Sequence, residues 1–480
     1  MGKVHKQAKE KGKIKDKTSP IVSMVLLGGC VIRIILLLNG VDQWVLERPE
    51  LMTSYDSFKS LKEGYFLMER GLSPYSGDAF HHPPLFLLLY GWVIRKPLNL
   101  SKQQADAVLS ALFIIVDVLV ALILRGAVVN FLQEQEVRVK ANGKEEIPED
   151  LIIREQMSED MKPSQKMPEV LSKKYLPDVV LFAYFMNPFT LLTSLSPSSV
   201  PLTILSTVLS IFYSQKKSPI FATLFLAVAT YISIYPVCLV VPITLVLCKD
   251  TPAEPMAYLY HTNLPIGLFA KVLFMLGFWL TVLVSASYSF LGSWDFVKDV
   301  YGWVFLCQDL TPNVGLYWYF FAEAFPRFQG YFLLVFAAHP FLYLVPLTLR
   351  LGMYPLKLAC ILIAINSIFK VYPCVGDASF ALCLFLMFPT TLLRMRNVVF
   401  YAVLGIFPLV LMPVMLYLWL VTGSGNVNFF YFQSLLYNFC LSMFVLQFIA
   451  ASMRHRKALV STMKQSNRQI NEQDQKPKKD

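Results

Sequence analysis

Long apolar runs separated by short basic turns constrain this chain more than any other feature of its sequence. About twenty apolar residues form a helix that crosses a bilayer, and only helices and closed barrels satisfy their backbone hydrogen bonds there. The sequence is 55% hydrophobic and 16% charged, whereas soluble domains carry about 25% charged residues. We therefore predict an all-α polytopic membrane protein with about twelve transmembrane helices. The apolar runs lie near residues 20–38, 104–125, 177–195, 198–213, 218–235, 236–248, 266–290, 328–350, 354–371, 375–393, 397–421 and 429–453.

The basic residues predict the orientation of the chain. Its formal net charge is +11, but Lys and Arg gather at the two ends and in the short turns. That distribution favours the positive-inside rule over nucleic-acid binding. Both termini are therefore predicted to be cytosolic. The predicted divisions are a basic tail (1–19), a membrane domain (20–455) with luminal loops 39–103 and 291–327 and a cytosolic loop 126–176, and a polar tail (456–480).

Several smaller features refine this topology. The apolar segment Pro84–Ile94 is too short to cross a bilayer and is interpreted as an interfacial or half-buried helix. Asn99 begins a glycosylation sequon on the predicted luminal face, and Lys476, Lys478 and Lys479 resemble a dilysine signal for retrieval to the endoplasmic reticulum. The eight cysteines lie mainly in apolar segments without metal-type spacing. Neither disulfides, a metal site nor a cofactor is predicted.

The first luminal loop carries residues that resemble an enzyme family. Asp56, Ser73-Pro-Tyr75 and His81-His-Pro83 are similar to motifs of multispanning glycosyltransferases that use a dolichol-phosphate sugar. In that family a pair of luminal carboxylates carries catalysis. Asp56 has Ser54 and Phe58 at the flanking alternate positions, so the pair is missing, although Glu47 and Glu50 leave a noncanonical pair open. The alternative for Tyr75 and His81 is a rigid loop fixed by prolines.

A second resemblance extends over the membrane region, roughly residues 20–455. Seven separate segments, in order, resemble the PIG-U family, a subunit of the glycosylphosphatidylinositol (GPI) transamidase. The segments are Asn187-Pro-Phe189, Ala229–Pro236, Ser293-Trp-Asp-Phe296, Asp309–Gly315, Trp318–Glu323, Phe369–Asp377 and Gly423–Tyr431. The lysine-rich N-terminal extension and the polar C-terminal tail depart from the family pattern.

The resemblance implies a fold and a function. It implies a glycosyltransferase-C-like bundle, in a non-catalytic subunit that binds the GPI lipid in the endoplasmic reticulum membrane. The lipid would be presented for attachment to the C-terminus of a proprotein. The implied partners are the other transamidase subunits, including the cysteine-protease-like catalytic subunit, together with GPI and membrane phospholipids. An active dolichol-phosphate-mannose mannosyltransferase and a transporter or scramblase are the alternatives, and the latter lacks the expected internal symmetry.

The candidate GPI-binding residues fall in three segments. Asn426 and Asn428 lie at a predicted luminal helix start, where amides and the helix N-terminus suit phosphate or sugar groups; Asn428 as a simple N-cap remains an alternative. Phe429 and Phe430 follow and suit acyl chains or the inositol ring. The remaining candidates are Asp309, Asn313, Trp318, Tyr319, Glu323, Tyr372 and Asp377. The aromatic residues have a second interpretation as an interfacial anchor belt.

Two further charged positions are interpreted structurally as well as functionally. Lys370 and Asp377 flank Tyr372-Pro373 at a predicted luminal helix junction, where they are either functional or simply paired with each other. Asp117 lies in the middle of an apolar run, and a satisfied interhelical hydrogen bond is expected there rather than a proton carrier.

Overall fold

A computed structural model describes residues 20–91, 102–141, 168–248 and 265–474. The N-terminal tail, Asn99 and the terminal lysines lie outside these ranges, so the predictions made for them remain predictions. The described residues form helices joined by short turns, and their one β-bridge pairs Ser57 with Ser198. The predicted all-α class is thus confirmed for the described part of the chain.

The α-helices follow one another with few long connections. Up to residue 291 they are α1 (Pro20–Leu38), α2 (Val41–Leu46), α3 (Lys59–Glu69), α4 (Leu85–Leu88), α5 (Lys102–Ala141), α6 (Leu176–Phe185), α7 (Pro188–Leu195), α8 (Ser199–Gln215), α9 (Pro219–Ile232), α10 (Val240–Cys248) and α11 (Ile266–Leu291). After residue 291 they are α12 (Trp303–Leu306), α13 (Tyr317–Glu323), α14 (Pro326–Leu342), α15 (Leu344–Leu351), α16 (Pro355–Phe369), α17 (Val375–Phe385), α18 (Pro389–Leu392), α19 (Val398–Leu420) and α20 (Val427–Asp474).

The count of about twelve crossings is not confirmed. Every apolar run contains a helix, but only six helices among the described residues are long and apolar enough to cross a membrane. A seventh span arises if α6 and α7, which meet at 50°, are taken together. The other five apolar helices are 10–17 residues long: Ser199–Gln215, Pro219–Ile232, Tyr235–Cys248, Pro355–Phe369 and Val375–Phe385. These lengths are below the twenty or so residues that a perpendicular crossing needs.

Two helices extend beyond their apolar runs. α5 continues to Ala141, well into the segment 126–176 that the sequence predicted as a loop. α20 continues to Asp474 through most of the predicted polar tail. The extensions are rich in Gln, Glu, Lys and Arg, which are good helix formers. The end of an apolar run therefore marks the end of a possible span and not the end of the helix.

A buried ion pair joins α1, α5 and the bend between α6 and α7. Arg33, which is 0% exposed, donates to Asp117, to the carbonyl of Phe185 at 3.0 Å and to Ser194 Oγ at 3.3 Å. Asp117 also accepts a hydrogen bond from the hydroxyl of Tyr184 at 2.8 Å. The expectation of a satisfied interhelical contact at Asp117 is confirmed.

The first loop, residues 39–91, folds back onto the helices. Its short helix α4 places Phe86 and Leu87 in a buried cluster with Phe58 and Tyr65. α4 is only four residues long and is not among the candidate spans, as expected for the short apolar run that begins at Pro84. This packing brings Asp56 to the interior of the molecule, beside the start of α8.

Candidate functional site

The loop before α13 is held against the start of α20. Three polar side chains of α20 donate hydrogen bonds to carbonyl groups of this loop: Tyr431 to Leu316 (3.0 Å), Ser434 to Asn313 (3.4 Å) and Asn438 to Val314 (2.6 Å). Spacings of three and four residues place these side chains on one face of a helix. We refer to residues 308–319 together with 426–431 as the loop–helix junction.

The side chains of Asp309 and Asn313 each accept a hydrogen bond from a backbone N–H within the loop. Asp309 Oδ1 accepts from the backbone N–H of Thr311 at 2.8 Å, and Asn313 Oδ1 accepts from that of Gly315 at 2.7 Å. A Cβ at Gly315 would lie 2.7 Å from Asn313 Oδ1 and 2.8 Å from Pro373 Cδ. Asn313 is 2% exposed. The structure therefore gives Asn313 a role in forming the turn, while Asp309 retains partial exposure.

Tyr319 connects α13 to α20 by a direct contact. Its hydroxyl donates a hydrogen bond to Asn428 Oδ1, and its ring lies 4.7 Å from that of Tyr431. This contact fixes the orientation of the Asn428 amide, since the oxygen faces Tyr319. The amide NH₂ of Asn428, an exposed residue, is then left to donate outward.

Asn426 is the residue that caps α20. Its Oδ1 accepts from the backbone N–H of Asn428 at 2.6 Å, and α20 begins at Val427. The N-cap role considered for Asn428 therefore belongs to Asn426, and Asn428 lies in the first turn. Both side chains are exposed. Two exposed amides thus sit at the N-terminus of a long helix, where the helix dipole favours negative charge.

The aromatic residues of the junction divide into buried and exposed members. Phe430 is 0% exposed and its ring lies 6.1 Å from that of Trp318. Trp318 is also buried, and no described residue accepts a hydrogen bond from its Nε1–H. Phe429, by contrast, is 55% exposed, and Glu323 is exposed at the end of α13. An unpartnered indole donor is costly unless something else satisfies it.

Tyr372 and Asp377 belong to a separate, interior cluster. The Tyr372 hydroxyl accepts from the backbone N–H of Asp309 at 3.0 Å, which connects this cluster to the loop–helix junction. Tyr372 also stacks on Tyr55, with ring centroids 5.1 Å apart. Asp377 lies 3.3 Å from Lys370 Nζ and accepts from the backbone N–H of Cys374 at 3.1 Å. The pairing of Lys370 with Asp377 considered from the sequence is confirmed.

Lys370 holds a second carboxylate as well. Its Nζ lies 3.2 Å from Asp56 Oδ2. Asp56 also accepts hydrogen bonds from Ser199 Oγ at 2.7 Å and from Thr53 Oγ1 at 3.0 Å. Burial alone would lower the pKa of Lys370, but Asp377 and Asp56 together raise the pKa above its usual value. Every oxygen of Asp56 is therefore engaged by a protein group.

The motifs around Tyr75 and His81 are packed into the first loop. The Tyr75 hydroxyl donates to the carbonyl of His82 at 2.8 Å. His81 stacks on Trp303 with ring centroids 3.6 Å apart. His82 is 1% exposed, and burial lowers its pKa. These contacts agree with the interpretation of a fixed loop.

The described residues offer no metal site, and among them Cys307 is not an activated thiol. They contain no group of three or more His, Cys, Asp or Glu side chains arranged to hold a metal ion. Cys307 lies in the loop before α13, and burial raises the pKa of its thiol to about 12. A thiol with that pKa is almost entirely protonated at neutral pH, and the thiolate is the nucleophile.

Sequence reasoning missed the contacts that assemble these two clusters. Asp56 and Lys370 are 314 positions apart, and no local pattern indicates their contact. The sequence does carry a signal for the polar face of α20 that is formed by Tyr431, Ser434 and Asn438. Polar residues at that spacing on an otherwise apolar helix predict a buried polar partner on one side.

Comparison with known proteins places this chain in a family. The model of the family "GPI transamidase subunit PIG-U" matches residues 27–437. The human "GPI-anchor transamidase component PIGU" is 32% identical over 429 residues, covering 88% of this chain and 90% of that protein. The protein of the same name from Cricetulus griseus is 32% identical over 426 residues, covering 87% and 90%. The "GPI transamidase component GAB1" of Saccharomyces cerevisiae is 27% identical over 435 residues, covering 90% and 94%.

These matches extend over nearly all of the membrane region, including both clusters. The resemblance that was drawn from seven sequence segments is thereby confirmed. The chain belongs to the PIG-U family of GPI transamidase subunits.

Proposed function

We propose that this chain is a non-catalytic subunit of a GPI transamidase complex in the endoplasmic reticulum membrane, with both termini cytosolic. In this proposal it binds the GPI lipid and presents it to the cysteine-protease-like catalytic subunit, which attaches it to the C-terminus of a proprotein. Family membership and the names of the relatives support the place in the complex. The loop–helix junction is the proposed GPI site.

The contact between Tyr319 and Asn428 is the observation that carries the proposed site. It points the donor side of an exposed amide outward at the N-terminus of α20. Amide donors there suit phosphate and sugar hydroxyl oxygens. The exposed ring of Phe429 adds apolar surface for an acyl chain or the inositol ring. Polar donors beside apolar surface match the two parts of a glycolipid.

The non-catalytic assignment is supported by the surroundings of Asp56. A mannosyltransferase needs a luminal carboxylate that is available to act as a base. Here Lys370, Ser199 and Thr53 occupy the oxygens of Asp56. No oxygen of Asp56 is therefore free to contact a substrate. No specific observation favours the mannosyltransferase alternative.

A substitution that separates lipid binding from packing tests the site. Asn428→Asp keeps an oxygen to accept from Tyr319 but replaces the outward NH₂ donor by a negatively charged oxygen. The complex would be purified in mild detergent from cells that lack the endogenous subunit, and bound GPI would be measured by mass spectrometry. We expect at least a roughly tenfold loss of GPI, which corresponds to about 1.4 kcal/mol.

Two hydroxyl deletions provide the matched comparison. Tyr319→Phe removes the hydroxyl that orients Asn428, and we expect roughly fivefold less GPI, as for the loss of one hydrogen bond. Tyr417→Phe removes a hydroxyl from a side chain that is 50% exposed on α19, and GPI recovery should remain at the wild-type level. Wild-type GPI recovery in both Asn428→Asp and Tyr319→Phe, with the complex intact, would refute the proposed site.

A further inference from the structure

His81 joins the first loop to the π-helical turn Val297–Gly302. The residue is 7% exposed. Its Nδ1 lies 2.9 Å from the carbonyl oxygen of Asp299, and its Nε2 lies 3.0 Å from the carbonyl oxygen of Asp78. A carbonyl oxygen only accepts hydrogen bonds, and a neutral imidazole donates from only one of its two nitrogens. Both contacts are therefore hydrogen bonds only when His81 carries a proton on each nitrogen.

The stack of His81 on Trp303 favours the same charged form. The two ring centroids are 3.6 Å apart and the ring planes are inclined by 16°. The face of an indole ring attracts a cation. Trp303 is the first residue of α12, so the stack is a second contact between the first loop and the segment that follows α11. We refer to the contacts of His81 with Asp78, Asp299 and Trp303 as the His81 clamp.

The charged groups around the His81 clamp favour a positive ring. The first loop contributes Tyr75, Asp78 and His82, and the segment after α11 contributes Asp295, Lys298, Asp299 and Tyr301. Burial raises the pKa of both tyrosine hydroxyls, so Tyr75 and Tyr301 stay uncharged. Three carboxylates and one lysine remain, which gives a formal charge of −2. Burial raises the pKa of Asp299, and the charge of His81 opposes that rise. Negative charge nearby stabilises the imidazolium form of His81.

His82, the next residue, has the opposite surroundings. Its Nε2 lies 3.1 Å from the carbonyl oxygen of Ser57, a contact that a neutral ring can make. His82 is 1% exposed, and burial lowers its pKa. A positive charge on His81 acts on that pKa in the same direction. Two adjacent cations repel each other, so the pair holds one charge, and the contacts place it on His81.

The clamped segment leads directly into the loop–helix junction. α12 ends at Leu306, and Cys307 has a φ of 47°, in the left-handed region. Residues other than glycine are strained there, so surrounding contacts must hold this turn in place. Two residues later the backbone N–H of Asp309 donates to the hydroxyl of Tyr372 at 3.0 Å. The position of α12 therefore sets where the junction loop begins.

We propose that His81 is a pH-sensitive clamp, whose imidazolium form fixes the turn Val297–Gly302 and α12 against the first loop and whose deprotonation releases them. Whichever nitrogen loses its proton, its lone pair then faces a carbonyl oxygen, and the attraction of a cation to Trp303 and Asp299 is lost. The clamped structure binds the proton more tightly than the released one. Its stabilisation is therefore present at low pH and is lost as pH rises. The clamp stands whether or not the loop–helix junction binds GPI.

Hydrogen exchange of the purified full-length chain tests the clamp. Exchange of the backbone amides of residues 297–306 would be followed by mass spectrometry in mild detergent. The two conditions are about pH 5.5 and about pH 8, which lie on either side of the usual titration of histidine. Each rate would be divided by the intrinsic exchange rate at the same pH. We expect roughly fivefold more protection at the lower pH, as for the loss of one hydrogen bond on deprotonation.

Variants connect the pH dependence to His81. His81→Phe keeps a ring to stack on Trp303 but has no donor, and His81→Gln has one donor nitrogen and does not titrate. Both should show the low protection of the released state at either pH. His82→Gln removes the neighbouring histidine and should keep the pH dependence. Because His82 is buried, His339→Gln on α14 is a second control that leaves the first loop intact, and it should also keep the pH dependence.

Solid-state NMR of the chain with isotope-labelled histidine reports the ring protons directly. At the lower pH, the ring signal that His81→Phe removes should show both nitrogens protonated. The signal that His82→Gln removes should show a neutral ring with one protonated nitrogen.

Four results would overturn the proposal. One is equal protection of residues 297–306 at the two pH values in the wild-type chain. Another is a pH dependence that both His81 variants retain, which would place the titrating group elsewhere. The third is a pH dependence that His82→Gln abolishes and His81→Gln leaves intact, which would assign it to His82. The last is a neutral His81 ring at the lower pH in the NMR measurement.

Discussion

Replacing Lys370 by Met should destabilise the protein strongly, because it removes the cation between two carboxylates. Lys370 Nζ lies 3.2 Å from Asp56 and 3.3 Å from Asp377, and Asp56 is 3% exposed. Breaking a buried ion pair by removing one partner costs about 3–5 kcal/mol, since the other charge is left unpaired. We expect the free energy of unfolding to fall by about that amount.

A second substitution should recover most of the loss. Asn at position 56 carries no charge, and its amide can still hydrogen-bond with Ser199 and Thr53. Asp377 keeps its contact with the backbone of Cys374 and is partly exposed, so it tolerates the missing lysine better. The double variant Lys370→Met/Asp56→Asn should therefore be more stable than Lys370→Met by about 1–3 kcal/mol, the usual coupling energy of contacting residues.

The assay is reversible unfolding of the purified chain by detergent titration, followed by circular dichroism for the wild type, both single variants and the double variant. Asp56→Asn alone should cost less than Lys370→Met, since Lys370 retains Asp377. If Lys370→Met costs under about 1 kcal/mol, or if Asp56→Asn fails to offset it, then Asp56 is not held by this ion pair. The structural account of Asp56 would then be wrong.

Two further predictions concern buried charges elsewhere. Arg33→Met should lower the free energy of unfolding by about 3–5 kcal/mol, because it leaves Asp117 buried without its cation. The double variant Arg33→Met/Asp117→Leu should lower it clearly less, because no unpaired charge remains. Equal losses in the same unfolding assay would contradict the reasoning. Glu50 is 5% exposed, and burial raises its pKa above the ordinary 4.5. The folded state therefore binds more protons than the unfolded state, and stability is lost as pH rises from 4.5 through the raised pKa. Glu50→Gln should stabilise the chain at pH about 7.5 and not at about 4, and a pH-independent difference in melting temperature would refute this.

The sequence predicted helix positions well because a bilayer imposes one simple pattern. Every apolar run contains a helix, since backbone groups in a bilayer must bond within their own segment. The number of crossings was harder to predict. Short helices such as α16 and α17 are apolar because they are buried in the protein, and composition alone does not separate that case from lipid exposure.

The sequence predicted which residues belong to the candidate site but not how they contact one another. Tyr319 and Asn428 were both identified, but their contact across 109 positions was not. Asp377 was grouped with them, whereas the structure pairs it with Lys370 in the interior. Local patterns report spacing within one helix, and contacts between distant helices depend on packing that one sequence does not display.

Photocrosslinking at Phe429 would test the central claim, GPI binding at the loop–helix junction, most directly. Phe429 and Phe439 lie on the same helix with 55% and 52% of their side chains exposed. A benzophenone amino acid would replace each in turn, and radiolabelled GPI would be supplied to the assembled complex. The account predicts a GPI adduct from position 429 and little or none from position 439. Equal adducts, or an adduct from position 439 alone, would contradict it.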